Sequence, residues 1–182
     1  MDNKKADLKQ LLRERSVRIG NFVLSSGKPS TFYVDARLTT MSPEGMILIG
    51  QLGLNTIRER GWDPDSVGGL TLGADPVSFA ISYTSGSAGG SLRAFTVRKE
   101  PKEHGAGRLI EGAFQSGDRV VVIEDVITTG KSALQAIDSI VSLNGNVVGV
   151  FSIVDRDDGG REAIESRGYQ VSSLFNIGEL LS

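Results

Sequence analysis

The sequence predicts an α/β fold in which a mostly parallel sheet carries helices on both faces. From residue 61 onward, short apolar runs typical of strands alternate with helical patterns, and such alternation is typical of parallel sheets with crossover helices. Residues 120–123 are four consecutive β-branched residues, which suits a strand covered on both faces. The 182 residues give room for one such domain. We therefore predict a single domain over 1–182, with its core in 61–182.

The first 60 residues contain two amphipathic helical patterns with a strand-like run between them. Leucines at helical spacing predict a helix over 4–15, and residues 31–35 form the strand-like run. A second helix is predicted over 43–60, beginning after a Ser42 cap and ending at Gly61.

The remaining chain alternates regularly between strand and helix signals. Strands are predicted over 67–72, 92–97, 119–123, 147–154 and 169–174. Helices are predicted over 76–83, 132–143 and 160–167. The Ser- and Gly-rich run 85–91 is predicted to be a flexible connector.

Composition excludes several classes of function. The net charge of −2, from 20 basic and 22 acidic residues, gives no global attraction to nucleic acid. The absence of cysteine excludes disulfides, cysteine metal sites and cysteine nucleophiles. No apolar stretch approaches the length of a membrane span, and the polar residues 1–5 lack the apolar segment of a signal peptide. We expect a cytoplasmic protein that binds neither membranes nor nucleic acid.

Two adjacent acids follow the predicted central strand and precede a hydroxyl- and glycine-rich loop. Glu124 and Asp125 come directly after 120–123, and ligands of open α/β sheets bind at the carboxyl ends of strands. We name residues 128–132 the phosphate loop, because their N–H groups, hydroxyls and adjoining helix start are suited to an anion. The segment predicts a sugar-phosphate site, with the acids meeting hydroxyls or a metal.

Two other interpretations of this segment explain its residues less well. Gly130-Lys131-Ser132 ends like a nucleoside-triphosphate loop, but Asp125 stands where that loop requires a glycine. An ordinary strand-to-helix turn with a threonine cap explains the hydroxyls but not the acidic pair.

A second cluster, within residues 98–108, is strongly cationic. One interpretation is a solvated basic hairpin whose charge nearby glutamates partly compensate; the other is a segment that binds an anion. Because like charges repel, the cluster is a liability unless an anion neutralises it. It directly follows a predicted strand, and Gly105 and Gly107 permit large backbone movements, so we expect a closing lid. The cluster consists of Arg98, Lys99, Lys102, His104 and Arg108.

Together these segments resemble the orotate phosphoribosyltransferases, within the type I phosphoribosyltransferases. Strand, acidic pair and Thr/Gly/Ser loop are similar to the phosphoribosyl pyrophosphate (PRPP) motif of that class. The lid is similar to the family pattern Arg-Lys-x-x-Lys-x-His-Gly, which starts at Arg98 and is followed by Gly107 and the pair Glu111-Gly112. Residues 24–37 and 154–156 also resemble family segments.

The resemblance implies a type I phosphoribosyltransferase fold, with a small hood formed by elements of 1–60 over the carboxyl edge of the sheet. It implies transfer of the 5-phosphoribosyl group of PRPP to orotate, which gives orotidine 5′-monophosphate and pyrophosphate in pyrimidine synthesis. Magnesium suits the pyrophosphate oxygens. A homodimer, with lids shared across subunits, is also implied.

The resemblance assigns roles to residues of this chain. Lys102 and His104 would be catalytic by neutralising the departing pyrophosphate, with His104 also able to donate a proton, and Asp125 would lie near the metal, through water. Orotate would be bound by Thr128, Arg156, Lys28 and Tyr33. PRPP would be bound by Arg98, Lys99, Lys102, His104, Glu124, Asp125, Val126, Ile127, Thr128, Thr129, Gly130, Lys131 and Ser132.

Several alternatives stay open at this level. The alternative role of Arg156 is a salt bridge with Asp155, Asp157 or Asp158. Some relatives have a lysine where this chain has Ser25 or Gly73. The rival functions are a transferase of the same fold acting on a purine, xanthine or uracil, and a PRPP-sensing regulator that binds nucleic acid.

Overall fold

A computed structural model describes residues 2–23, 29–100 and 109–182. Its helices are α1 (Asp2–Leu11), α2 (Arg37–Thr40), α3 (Pro43–Glu59), α4 (Ala74–Ser87), α5 (Lys131–Ser142), α6 (Gly160–Glu165) and α7 (Ile177–Leu181), and a π-helical segment (Leu12–Ser16) follows α1. Its strands are β1 (Val17–Val23), β2 (Pro29–Val34), β3 (Ser66–Leu70), β4 (Arg93–Val97), β5 (Ile110–Gly112), β6 (Arg119–Ile127), β7 (Asn146–Asp155) and β8 (Val171–Asn176).

Six strands form one sheet in the order β5-β4-β3-β6-β7-β8. All neighbours are parallel except β5, which is antiparallel to β4. The predicted α/β fold with a mostly parallel sheet is confirmed. Among the described helices, none has the length and apolar character needed to cross a bilayer.

The sheet is covered on both faces, and the side chains of β6 alternate between two cores. Val121 and Ile123 join the core that contains α1, α3, α4 and α7. Val120 and Val122 join the core on the other face, which contains α5 and α6. This period of two is the pleat of a strand buried on both sides.

The amino-terminal elements have two different locations. Helices α1 and α3 pack in the first core, against the sheet. Strands β1 and β2 form a separate antiparallel hairpin, and the hairpin and the start of α2 border a cleft at the carboxyl edge of the sheet.

Trp62, the only tryptophan of the chain, anchors the start of β7. Its ring is 4% exposed and its Nε1 donates to Gln170 Oε1 at 3.2 Å. A Cβ added at Gly149 would overlap the indole ring. Glycine at 149 therefore permits the close contact between ring and strand.

Several element boundaries differ from the prediction. Strand β6 continues to Ile127, because Val126 and Ile127 still pair with β7, so Glu124 and Asp125 lie inside the end of the strand instead of after it. Helix α4 continues to Ser87, so the predicted connector 85–91 is wrong in its first three residues. The first helix ends its α-helical part at Leu11, and 12–15 are π-helical.

Four short elements were not predicted. Strand β1 is largely exposed, so it has no alternating apolar signal, and β5 and α2 have only three and four residues. Helix α7 did have a signal, because Asn176 and Glu179 form a capping box.

Candidate active site

A cleft of about 1670 Å³ lies where the carboxyl ends of β3, β6 and β7 face the hairpin. This is the location at which open α/β sheets bind ligands. Its walls are the hairpin and start of α2, the turn after β3, the end of β6 with the phosphate loop, and the residues after β7. The residues that carry the chemistry are Tyr33, Asp35, Arg37, Thr71, Gly73, Lys99, Glu124, Asp125, Thr128, Thr129, Lys131, Ser132, Arg156 and Asp158.

The carboxyl groups of Glu124 and Asp125 are held in surroundings poor in water. Burial raises the pKa of Glu124 well above its ordinary value, and the neighbouring Asp125 charge raises it further. Burial also raises the pKa of Asp125, although the Val126 N–H, which donates to Asp125 Oδ1 at 2.9 Å, and the charge of Arg37 oppose this. A ligand that brings hydroxyl donors or positive charge to this pair would stabilise the ionised form of its carboxyl groups.

The phosphate loop has the conformation that its glycine predicts. Gly130 has φ +75°, and a Cβ there would come within 2.8 Å of the Gly160 carbonyl oxygen, so glycine is required at this position on two counts. Helix α5 begins at Lys131, and no side chain caps its first turn. The backbone N–H groups at the start of α5 therefore lack a side-chain cap. Thr128, Thr129 and Ser132 line the cleft beside these N–H groups, an arrangement suited to a phosphate.

The turn after β3, which we name the 71–73 turn, packs against Asp125. The Thr71–Leu72 peptide bond is cis. A Cβ at Gly73 would lie 2.6 Å from the Asp125 carboxyl carbon, so the turn can approach the carboxylate only because residue 73 is glycine. Asp75 is 9% exposed and accepts from Thr71 Oγ1 at 2.7 Å and from Thr96 Oγ1 at 2.9 Å, which ties the turn to β4.

Arg156 follows β7, where its N–H donates to the Ile127 carbonyl oxygen at 3.0 Å beside the start of the phosphate loop, and its side chain packs against the hairpin. Its guanidinium carbon is 4.8 Å from the centre of the Phe32 ring, and its Nε is 3.3 Å from Asp158 Oδ2. The side chain is 7% exposed, and among the described residues its Nε has no partner with hydrogen-bond geometry. The salt-bridge interpretation is therefore correct for Asp158. It does not extend to Asp155, whose carboxylate pairs with Arg161 at 2.7 Å.

The other predicted site residues differ in location: some lie at the cleft, one is buried in the core, and three lie outside the described residues. Arg98 Nη1 is 4.0 Å from Glu111 Oε1, and Lys99, which lines the cleft, accepts at its carbonyl from Gln135 Nε2 at 3.0 Å. The side chain of Ile127 is buried in the core and does not line the cleft. Lys28, Lys102 and His104 lie outside the described residues.

One feature of the cleft was not predicted as part of the site. Arg37 Nε and Nη2 donate to the two carboxylate oxygens of Asp35 at 2.8 Å and 2.9 Å. The pair holds the pKa of Asp35 below its ordinary value, chiefly through the hydrogen bond from Arg37. The spacing Asp-x-Arg was visible in the sequence, but nothing local to it indicated that α2 would reach the cleft.

Within residues 2–23, 29–100 and 109–182, no three His, Cys, Asp or Glu side chains are grouped to hold a metal. Glu124 and Asp125 nonetheless offer carboxylate oxygens, which are the donors that Mg²⁺ prefers. Because Mg²⁺ usually keeps several waters and binds through substrate phosphates and one or two carboxylates, the donor set present is compatible with it.

The sheet, the strand-end acids and the phosphate loop have the arrangement expected of the type I phosphoribosyltransferase fold. No protein-family profile matches the chain. The chain is 47% identical over 177 residues to the orotate phosphoribosyltransferase of Aquifex aeolicus, covering 96% of each protein, and 44% identical over 176 residues to that of Mycobacterium tuberculosis, covering 97% of this chain and 96% of that protein. It therefore belongs to the orotate phosphoribosyltransferase family, as the sequence motifs indicated.

A solved structure agrees with this membership. The orotate phosphoribosyltransferase of M. tuberculosis H37Rv in complex with PRPP superposes with a TM-score of 0.83 at 40% identity, covering 98% of this chain and 99% of that one. The predicted fold class is confirmed over nearly the whole length.

Proposed function

We propose that this chain transfers the 5-phosphoribosyl group of PRPP to orotate, giving orotidine 5′-monophosphate and pyrophosphate in pyrimidine (UMP) synthesis. The observation that carries the proposal is full-length identity of 44–47% to orotate phosphoribosyltransferases. The cleft supports it, because an acidic pair, the phosphate loop and a buried arginine line it together.

PRPP would bind along the end of β6. Its 5′-phosphate would be bound by the amide groups and hydroxyls of the phosphate loop, where the start of α5 adds a favourable dipole. The ribose hydroxyls would donate to Glu124 and Asp125, relieving a buried negative pair that has few donors of its own. Of the remaining predicted PRPP ligands, Arg98 and Lys99 stand at the end of β4, where the lid begins.

Orotate would bind between the ribose and the hairpin. A guanidinium and a carboxylate can form two parallel hydrogen bonds, and Arg156 is held for this by Phe32 on one side and Asp158 on the other. Thr128 would make a polar contact to the base, and Tyr33 would border the pocket. Lys28 is proposed from the family pattern alone.

In the reaction the bond from the anomeric carbon to the diphosphate oxygen breaks, a bond to a ring nitrogen of orotate forms, and the proton of that nitrogen is released. Positive charge develops on the ribose and negative charge on the leaving diphosphate. Lys102 and His104 of the lid would stabilise the diphosphate, and His104 could give it a proton. Mg²⁺, when bound with the substrate, would neutralise diphosphate oxygens; Asp125 is the proposed protein group nearest it, through water.

The working form is proposed to be a homodimer in which each lid serves the neighbouring site. An apolar surface on two packed helices supports this. Phe79 and Tyr83, one turn apart on α4, are 47% and 78% exposed, and Ile47 on α3 is 60% exposed. Burial against a second copy would remove this surface from water. A cytoplasmic location, without nucleic-acid or membrane partners, stays a prediction.

Turnover with a panel of acceptors tests the proposal. The protein is mixed with PRPP and Mg²⁺ and with orotate, uracil, xanthine, hypoxanthine or adenine, and pyrophosphate release is followed. Orotate-selective release is the expected result. Release with a purine, xanthine or uracil would support the rival transferase, and PRPP binding without release on any acceptor would support the regulator.

A further inference from the structure

Four described residues bring positive charge to the cleft, and three of them have a place in the proposed function. Lys131 belongs to the phosphate loop, Arg156 faces the base, and Lys99 stands at the stem of the lid. The fourth is Arg37, at the start of α2.

Arg37 is oriented within the cleft instead of being a free surface arginine. Two of its nitrogens, Nε and Nη2, are bound to Asp35, which fixes the plane of the guanidinium and leaves Nη1 available. The side chain is still 44% exposed, so a ligand in the cleft can reach it. Arg37 and Asp125 line the same cleft.

The wall next to Asp125 is otherwise poor in positive charge. The segment Thr71–Asp75 contains no basic side chain, and Gly73 packs so closely on Asp125 that even a methyl group would overlap it. The 71–73 turn can therefore offer a phosphate only the backbone amides of Leu72 and Gly73, because the Thr71 hydroxyl donates to Asp75 and the Thr71 N–H donates to Val97. A cation that another element brings to this wall would reduce the repulsion between a diphosphate and the two carboxylates.

The shape of PRPP indicates which of its groups would lie near Arg37. With the 5′-phosphate on the phosphate loop and the ribose hydroxyls at Glu124 and Asp125, the diphosphate on the anomeric carbon extends from the ribose away from the phosphate loop. The 71–73 turn, which packs on Asp125, and the start of α2 line the same cleft.

We propose that Arg37 binds the diphosphate of PRPP and the released pyrophosphate, and that Asp35 positions it for this contact. The inference rests on the proposed function, because it takes the location of the diphosphate from PRPP. Arginine suits the role, since one edge of its fork holds Asp35 while the remaining N–H groups meet phosphate oxygens.

The test measures three ligands on three proteins. Wild type, Arg37→Gln and Arg37→Lys are titrated calorimetrically, with Mg²⁺ present, with PRPP, inorganic pyrophosphate and ribose 5-phosphate. The matched control is Arg15→Gln, which removes an exposed arginine paired with Glu44 at 3.1 Å outside the cleft.

For Arg37→Gln we expect the Kd of PRPP and of pyrophosphate to rise about tenfold or more, the loss of one charge-assisted hydrogen bond. The Kd of ribose 5-phosphate and the KM of orotate should change less than about twofold, because neither molecule carries the diphosphate. Arg37→Lys should recover only part of the affinity, since an ammonium lacks the fork that bridges Asp35 and phosphate. The control should match wild type.

Three results would overturn the inference. Unchanged pyrophosphate binding by a folded Arg37→Gln protein would remove the contact altogether. Equal weakening of PRPP, ribose 5-phosphate and orotate would show that Arg37 only supports the hairpin and α2. If the wild-type protein binds no PRPP in the presence of Mg²⁺, the proposed function fails, and the role of Arg37 fails with it. If Arg37→Gln binds PRPP and pyrophosphate as tightly as wild type does, only the role of Arg37 is overturned.

Discussion

The guanidinium of Arg156 stacks on the ring of Phe32, 4.8 Å from its centre. One residue follows a strand of the main sheet and the other belongs to the hairpin, so the contact joins two of the walls of the cleft. An arginine over an aromatic ring retains its in-plane hydrogen-bonding edge. The contact therefore orients the arginine without using the donors that a carboxylate ligand requires.

Substitution of Arg156 should weaken orotate binding selectively. We expect Arg156→Ala to raise the KM of orotate by about ten- to a hundredfold, because a charge-assisted bidentate pair is lost, while the KM of PRPP changes little. Steady-state kinetics with each substrate varied in turn measures this, and Arg15→Ala is the control. An equal rise in both KM values would assign Arg156 a general role in holding the hairpin.

Gly73→Ala should reduce activity without unfolding the protein. The added methyl would overlap the Asp125 carboxylate, so the carboxylate or the 71–73 turn must shift, and we expect kcat/KM for PRPP to fall by about tenfold or more. Gly86→Ala is the matched control, because it lies in the same chain region, in α4, with open space around it. It should keep full activity and gain about 0.4–1 kcal/mol of stability. Equal activity of both variants would contradict the tight contact.

The buried Glu124 should make stability depend on pH in a recognisable way. In the unfolded chain its carboxyl ionises near the ordinary value of 4.5, whereas in the folded protein its pKa is raised. Between these values the folded state binds more protons, so the free energy of unfolding falls as pH rises, by about 1.4 kcal/mol per pH unit at most. Glu124→Gln removes this dependence and should be the more stable protein at neutral pH.

Urea unfolding of the ligand-free wild type and Glu124→Gln at several pH values measures the effect. The stability difference should widen as pH rises above 4.5 and become constant once the raised pKa is passed. PRPP binding by the variant should be weaker, since an amide is a poorer acceptor for ribose hydroxyls than a carboxylate. A difference that does not vary with pH would mean that Glu124 ionises normally.

Lys102→Ala should lower turnover far more than PRPP affinity. Its charge is proposed to act on the diphosphate mainly as the bond breaks, so the loss appears in kcat. We expect a fall of about a hundredfold or more in kcat, with the Kd of PRPP within a few fold of wild type. Kinetics and calorimetry on the same preparation separate the two effects. Equal losses in both would indicate uniform binding of ground state and transition state.

A charge on the exposed apolar surface of α4 should separate the subunits. Tyr83→Glu would place a carboxylate within the proposed interface, where its desolvation is unfavourable, so the molar mass in light scattering should fall from dimer to monomer. Activity should fall with it if the lids are shared between subunits. Tyr83→Phe is the control and should stay dimeric. A wild-type protein that is already monomeric would contradict the proposal.

The sheet and the phosphate loop could be predicted because their signals are local. Four β-branched residues mark the first half of β6, and the Thr/Gly/Ser run after it combines hydroxyls with a glycine directly before a helical pattern. The true end of β6 could not be predicted, since Glu124 and Asp125 are poor strand formers and only pairing with β7 keeps them in the sheet.

The contacts that complete the cleft could not be predicted from the sequence, because they join residues far apart in the chain. Arg37 and Asp125 are 88 positions apart in the numbering, and only the packing of α2 against the folded core brings them together. The same holds for Gly73, whose contact with Asp125 depends on how β3 and β6 align. Such long-range relations leave no periodic trace in the chain.

The burial of Trp62 has a practical outcome for spectroscopy. The chain carries a single indole fluorophore, packed on Gly149 and absent from the residues that line the cleft. Its emission should shift when the sheet loses its packing and stay nearly constant when substrates are added. Intrinsic fluorescence can thus follow denaturation of the ligand-free and the ligand-bound protein alike, because substrate binding in the cleft should not itself change the Trp62 emission.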